Sequence, residues 1–258
     1  MIDLINCKNE FIKYTEQFDL NIQGIKRKQL HSLRVMEKSK KIAESLNLSQ
    51  EEVEVATLIG LLHDIGRFKQ YTKYQTFIDH KSVDHAHLGV KTLKKDDYIK
   101  KYINDEKWIN TILIAIENHN KYKIQEGLDE KQEIFCKIIR DADKADILYE
   151  GSKVFWSREE ERKEIENETV NEEIFKAVKN HTLVNRRKID KETCLDNLLI
   201  NLCFTFDINY PKTFSIIEQD QDIDKTLEKF KFNNKETKEK IEEIHKEINN
   251  YIKENKGW

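Results

Sequence analysis

Four segments of the sequence place a histidine or an aspartate where a helical pattern calls for an apolar residue. His31, the pair His63-Asp64, His119 and Asp143 each extend an apolar stripe with the spacing of one helix face. Burying so many imidazoles and carboxylates is costly unless each polar group finds a partner. A divalent metal satisfies imidazole nitrogens and carboxylate oxygens together, so the chemistry indicated is metal binding.

Amphipathic helices are predicted to position these side chains. The first runs from about Lys26 to Leu46 and presents His31. The second begins after Ser49, which forms the S-x-x-E pattern of a capping box with Glu52. Its body, VEVATLIGLLHD, is apolar on nearly every side, which indicates a central buried helix. Gly66 is expected to end this helix.

The remaining helices follow a loop predicted from about Phe68 to Ser82. A short helix then carries His85-Ala-His87-Leu-Gly89, and either of its two histidines could face the interior. Longer helices from Trp108 to Asn120 and from Glu130 to Tyr149 carry the last two inward polar groups. Beyond residue 150 the pattern stays helical and ends in an amphipathic helix from about Asn233 to Lys253.

The composition favours an all-α protein. The chain has 7 Gly and 1 Pro in 258 residues, so few residues interrupt helices. No Pro/Gly/Ser-rich linker divides the sequence. We therefore predict a single helical domain over residues 1–258, with a metal-binding core at about 26–150 and a helical extension at about 151–258.

Charge and cysteine usage exclude several classes of partner. The 45 basic and 48 acidic side chains are interspersed and give a net charge of -3, so no surface for duplex nucleic acid or an anionic membrane is indicated. The four cysteines form no paired motif, which favours reduced thiols and a cytoplasmic location. The N-terminal segment lacks the apolar stretch of a signal peptide. The sequence does not indicate an oligomeric state.

The order of the inward polar residues resembles the signature of the HD-domain superfamily. His31, then His63-Asp64 within LLHDIGR, then Asp143 within RDADKAD follow that family's H…HD…D order. The resemblance implies an HD-type helical bundle in which these four side chains bind one metal. Asp143 is chosen over Asp141 because the family's ligand is the Asp of an Ala-Asp-Lys/Arg triplet.

Two further histidines resemble ligands of the dinuclear HD subgroups. His85 stands four residues before Gly89, as in their HxxxG element, and His119 matches the first His of their HH element. Asn120 stands where those phosphodiesterases usually carry the second His, and the chain has no G-Y-P motif. A cyclic-dinucleotide phosphodiesterase of that type is therefore not indicated. The resemblance implies one or two divalent metals per chain, drawn from Mn, Fe, Mg, Co, Ni and Zn.

The resemblance also implies hydrolysis of a phosphate ester by a metal-activated water. Asp64 would bridge two metals about 3.5–4 Å apart and leave positions for water, whose pKa would fall to about 7. Arg67 and Lys144 stand beside the ligands in sequence and are candidates to contact the phosphate oxygens. The expected partner is a small-molecule phosphate ester, most simply a nucleotide.

Two other functions stay open at this point. Some relatives use the same six-ligand pattern to hold two irons and activate oxygen on a small organic substrate. A non-catalytic module could keep the metal and bind a nucleotide or partner as a regulator. Tyr71, Tyr74 and Phe77 could stack on a nucleobase or pack locally.

Overall fold

A computed structural model describes residues 1–189 and 191–257. Over these residues the chain contains helices and no β-strand, which confirms the predicted all-α class. Short 3-10 helices cover Asp79–Lys81, Lys95–Lys101, Arg186–Lys188 and Cys203–Asp207. The α-helices are α1 (Leu4–Thr15), α2 (Gln23–Ser45), α3 (Gln50–Leu62), α4 (Ile65–Tyr74), α5 (His85–Lys94), α6 (Glu106–Asn118), α7 (Glu130–Lys153), α8 (Glu159–Asn167), α9 (Glu172–Lys179), α10 (Cys194–Leu202), α11 (Pro211–Asp220), α12 (Asp222–Leu227) and α13 (Lys235–Asn255).

The chain groups into two compact units. The first covers Met1–Asp143 and the second runs from Lys144 onward, so the boundary falls within α7. The interpretation as a single domain stays a prediction. All six predicted metal ligands belong to the first unit.

The first unit is built around α3. Ser49 and Glu52 form the predicted capping box, because the Ser49 hydroxyl accepts from the Glu52 amide and the Glu52 carboxylate accepts from the Ser49 amide. Every residue from Val53 to Leu62 is buried, which confirms the prediction of a central helix. Helix α2 packs along α3, and the approach is close at Gly60, where an added Cβ would lie 2.6 Å from the Ser39 hydroxyl.

The prediction that Gly66 ends the buried helix is wrong. Helix α3 ends at Leu62, and Gly66 lies inside the next helix, α4. A Cβ at Gly66 would lie only 2.2 Å from the His85 carbonyl oxygen, so this glycine allows α4 and α5 to touch through their backbones. The predicted loop from Phe68 to Ser82 is correspondingly too long, because its first seven residues are helical.

The second unit has a core of its own. Helix α13 contributes a stripe of buried isoleucines, Ile241, Ile244, Ile248 and Ile252, which fits the predicted amphipathic C-terminal helix. Pro211 occupies the first turn of α11, where a missing amide hydrogen costs nothing.

Two further expectations concern membrane-spanning helices and the state of the cysteines. Among the described residues, no helix combines the length and the apolar character needed to cross a membrane. All four cysteines are free thiols, and Cys7, Cys136 and Cys203 are buried.

Candidate metal centre

His63 and Asp64 form the turn between the buried helix α3 and helix α4. Both residues follow the end of α3 directly, and α4 begins at Ile65. Their side chains are buried because the turn lies inside the first unit rather than at its surface. The chain thus places adjacent imidazole and carboxylate groups at one interior point.

His31 and Asp143 reach this point from α2 and α7. The His31 Nε2 atom lies 3.2 Å from His63 Nε2, 3.1 Å from Asp143 Oδ1 and 3.5 Å from Asp64 Oδ2. His63 Nε2 lies 3.6 Å from each of the same two carboxylate oxygens. Ligand atoms that share a first-row metal through bonds of about 2.1 Å lie about 3 to 3.5 Å apart. The four side chains therefore have the spacing of one metal site.

His85 and His119 form a second group on the other oxygen of Asp64. Their Nε2 atoms are 2.9 Å apart and lie 3.4 Å and 3.7 Å from Asp64 Oδ1. Asp64 thus turns Oδ2 toward the first group and Oδ1 toward the second. This is the arrangement expected of a carboxylate that bridges two metals, although its bridging role stays a prediction.

The histidine hydrogen bonds leave the Nε2 atoms as acceptors. His63 Nδ1 lies 2.8 Å from the Gly60 carbonyl, and His119 Nδ1 lies 2.7 Å from the Ile116 carbonyl. A carbonyl oxygen can only accept, so in each ring Nδ1 is the donor and Nε2 of the neutral imidazole keeps its lone pair. His85 Nδ1 likewise lies 2.7 Å from the Asp79 carboxylate, so the Nε2 lone pairs of His85 and His119 face each other at 2.9 Å and repel unless a cation lies between them.

Asp64 provides the second test of whether a metal fits. Its Oδ1 atom is buried and has no hydrogen-bond partner among the described residues, although a buried carboxylate oxygen normally has one. Together with the facing Nε2 atoms, this unpartnered oxygen identifies a donor set of nitrogen and carboxylate oxygen that suits a divalent first-row ion. The side chains that are present therefore fit the metals implied by the sequence.

The ionisation of these groups also suits metal binding. Burial lowers the pKa of His63 and, despite the opposing Asp79 carboxylate, lowers that of His85 to about 4. Burial opposes the ionisation of Asp64 and Asp143, yet Lys28 beside the former and His31 beside the latter hold both pKa values well below the usual range. His63 and His85 are thus neutral, and Asp64 and Asp143 charged, at neutral pH, as metal ligands must be.

Asp79 was not predicted from the sequence. Its carboxylate accepts a hydrogen bond of 2.7 Å from His85 Nδ1 and others from Arg67, Gln70 and Asn120. Burial raises the pKa of Asp79, but the hydrogen bonds from these neighbours outweigh it and lower the pKa to about 2. Histidine ligands usually donate their second nitrogen to such a carboxylate, and that rule is the signal that could have found it.

Lys28 is a second residue that the sequence reasoning missed. Its ammonium group is buried, 2.7 Å from Asp64 Oδ2. It lies three residues before His31 on α2, and this spacing on one helix face could have indicated it. A buried cation thus touches the carboxylate at the middle of the centre.

The other predicted site residues lie in different surroundings. Arg67 Nε is 3.5 Å from Asp64 Oδ1, while its Nη1 donates to the Phe77 carbonyl and to Asp79. Lys144, in the second unit, has its ammonium 2.8 Å from the Asp207 carboxylate. The roles given to these two cations stay predictions.

The choice between His85 and His87 is decided by their exposure. His85 is 3% exposed and faces the centre, whereas the His87 side chain is 69% exposed and lies near Glu117. Asn120, at the position of the second His in the dinuclear phosphodiesterases, donates to Asp79 and Asp84 instead. Asn120 thus donates to the same Asp79 carboxylate that accepts from His85.

Comparison with known families agrees with this centre. A family model for the HD domain matches residues 30–148, which include all six predicted metal ligands. The match supports membership of this part of the chain in the HD-domain superfamily, whose members are in general metal-dependent hydrolases. Searches of curated proteins and of solved structures gave no match.

Proposed function

We propose that this protein is a metal-dependent phosphohydrolase that acts on a nucleotide or another small phosphate ester. The observation that carries the proposal is the position of Asp64, whose two oxygens each face a pair of histidine Nε2 atoms. When bound there, divalent metals supply Lewis acidity, which acidifies water and neutralises the charge of a phosphate.

In this proposal six side chains hold the metals. His31, His63 and Asp143 serve the first site, His85 and His119 serve the second, and Asp64 serves both. Every one of them except Asp143 is buried. Burial excludes bulk water, so the charges in the centre act on a bound phosphate at a low local dielectric.

Lys28 and Arg67 are the cations proposed to face the phosphate oxygens. They flank Asp64 from opposite sides, Lys28 at Oδ2 and the Arg67 Nε group at Oδ1. The Arg67 Nε–H is buried and makes no hydrogen bond to the described residues, the Asp64 Oδ1 atom lying 3.5 Å away, so we propose that it donates to a substrate oxygen. Two cations beside the metal ligands favour an anionic substrate over a neutral organic one.

The proposal is tested with protein stripped by a chelator and reloaded separately with Mn, Fe, Mg, Co, Ni or Zn. We expect phosphate or nucleoside release from at least one member of a panel of nucleotides and phosphodiesters. Asp64→Ala should abolish it, and the exposed control Asp96→Ala should not. Failure of every metal on every ester would reject hydrolysis. Oxygen consumption by the iron-loaded protein with no ester cleavage would instead support the oxygenase alternative.

A further inference from the structure

A second binding feature of the first unit is a cavity of about 670 Å³ beside helices α4 and α5. Phe18, Tyr74 and Leu88 provide an apolar part of its lining, and Lys69, Lys73 and Lys91 provide cations. Cavities that bury small ligands typically have volumes of about 300–1,000 Å³. The cavity is therefore large enough to accommodate a molecule the size of a nucleotide.

The cavity is separate from the metal centre. None of the six proposed ligands lines it, but His87 does. His85 and His87 are two positions apart on α5, and successive residues turn by about 100°, so their side chains leave opposite faces of the helix. Helix α5 thus presents one face to the metal centre and the other to the cavity.

The lysines of this cavity carry uncompensated charge. Among the residues that the structure describes, no carboxylate pairs with Lys69, Lys73 or Lys91. Asp84 also lines the cavity, but its carboxylate already accepts from Lys121 and Asn120. Lys69 is partly buried, and burial lowers its pKa with a further contribution from Lys95. An anion in the cavity would therefore meet three ammonium groups that no carboxylate of the described residues pairs with, while the one lining carboxylate, Asp84, is already paired with Lys121.

We propose that this cavity binds a small organic phosphate with an aromatic body, the chemistry of a nucleoside phosphate, as a ligand separate from the substrate at the metals. The lysines contact the phosphates, since ammonium–phosphate hydrogen bonds are among the stronger polar contacts. Phe18 and Tyr74 offer aromatic surface to the base. Neither an inorganic anion nor an uncharged nucleoside would use both parts of the lining.

The test uses the full chain without metal, so that neither hydrolysis nor metal-mediated binding contributes. Isothermal titration at low salt measures the affinity for ATP, GTP, CTP and UTP, and for adenosine and tripolyphosphate. We expect at least one nucleotide to bind at least about 10-fold more tightly than adenosine and tripolyphosphate, with an affinity that falls as salt rises. This result is independent of whether the metal centre hydrolyses esters.

Two triple variants assign the binding to the cavity. Lys69→Gln/Lys73→Gln/Lys91→Gln should weaken nucleotide binding by at least about 30-fold, because three phosphate contacts are lost. The control Lys26→Gln/Lys41→Gln/Lys94→Gln removes the same charge from exposed lysines outside the lining and should change the affinity less than about 2-fold. Binding of no nucleotide, equal losses in both triple variants, or equal binding of tripolyphosphate would overturn the proposal.

Discussion

The residues around Asp64 divide into those proposed to hold metal and those that contact the proposed ligands. Lys28 touches the Asp64 carboxylate without being able to coordinate a metal at neutral pH, because its ammonium has no lone pair. The Asp79 carboxylate contacts Nδ1 of His85, not the Nε2 atom that faces the centre. Replacing Lys28 should therefore affect catalysis, whereas replacing Asp79 should affect metal binding.

Replacing Lys28 should slow catalysis without removing metal. Lys28→Met keeps much of the side-chain volume but removes the cation proposed to stabilise charge on the phosphate, so we expect kcat to fall about 100-fold. Lys28→Arg should recover part of the rate, and Lys26→Met on the exposed side of α2 should leave it unchanged. Kinetics and metal content of the same preparations check this. Loss of metal from Lys28→Met, or an unchanged kcat, would contradict the proposed role.

Replacing Asp79 should weaken one metal site of two. Asp79→Ala removes the acceptor that fixes the His85 ring, and losses of this kind lower metal affinity by about 10- to 100-fold. Asp79→Asn retains an oxygen acceptor and should bind more tightly than Asp79→Ala. Titration of the stripped protein, monitored by bound metal per chain, measures the effect, with Asp96→Ala as the exposed control. Equal weakening of both sites would rule out a specific effect on His85.

The sequence predicted the candidate ligands but not the residues that contact them. His31 and Asp143 interrupt apolar stripes, and this conflict with packing marks them without any structure. Asp79 and Lys28 do not interrupt an apolar stripe, so the sequence pattern does not distinguish them from other charged residues. Their contacts depend on how α4 and the following turn fold back on His85, and on which face of α2 meets Asp64.

At the scale of the elements, the approach of α4 to α5 decides where His85 lies. A Cβ added at Gly66 would lie 2.2 Å from the His85 carbonyl oxygen and 2.6 Å from the Gly89 nitrogen, so any side chain there would force the helices apart. Gly89 lies in the same interface, but a Cβ there would meet its nearest neighbours at 3.5 Å, an ordinary contact. The two glycines of one interface therefore differ in their tolerance of alanine.

Gly66→Ala should destabilise the protein by about 1–3 kcal/mol or more, since the added Cβ would meet backbone atoms that cannot rotate away. The second metal site should weaken as well, because α5 carries His85. Gly89→Ala is the matched control and should change stability by less than about 1 kcal/mol. Urea unfolding of both variants gives the comparison. A larger loss of unfolding free energy for Gly89→Ala than for Gly66→Ala would contradict the close approach of α4 and α5 at Gly66.

The capping box of α3 should make the free energy of unfolding depend on pH. Hydrogen bonds from Lys131 and Ser49 lower the pKa of Glu52 to about 2, below its value of about 4.3 in an unfolded chain. The stabilisation is therefore present above about pH 4.3 and is lost as the pH falls toward 2.

Glu52→Gln should cost about 1 kcal/mol of unfolding free energy at pH 7, and this cost should shrink at pH 3. Urea unfolding at the two pH values measures it, with the exposed Glu126→Gln as control. A cost that is the same at both pH values would argue against the ionised capping box.

Element boundaries were harder to predict than element types. Gly66 has the residue type of a helix terminator, yet its missing side chain serves a contact with α5, about 20 residues along the chain. The segment from Phe68 to Tyr74 was predicted to begin a loop, but it forms most of α4. Tyr71 and Phe77 in fact pack on each other, with ring centroids 4.7 Å apart, which favours local packing over stacking on a base.

At the scale of the whole molecule, the proposed metal ligands and the second helical core belong to different units of the chain. The six proposed ligands all lie in the first unit, and the second unit buries its own apolar cluster along α13. The pattern of apolar residues predicted helices in both parts. It could not show the boundary at Asp143, because α7 continues through it without a Pro, a Gly or a polar linker.

The count of metal ions per chain tests the central claim most directly. Protein incubated with each of the six candidate ions, dialysed and measured by elemental analysis should retain two ions with at least one of them. His85→Ala/His119→Ala should retain one ion, and Asp64→Ala should retain less than one, because its carboxylate contacts both groups. A wild-type protein that retains no stoichiometric metal with any of the ions would contradict a metal centre at Asp64.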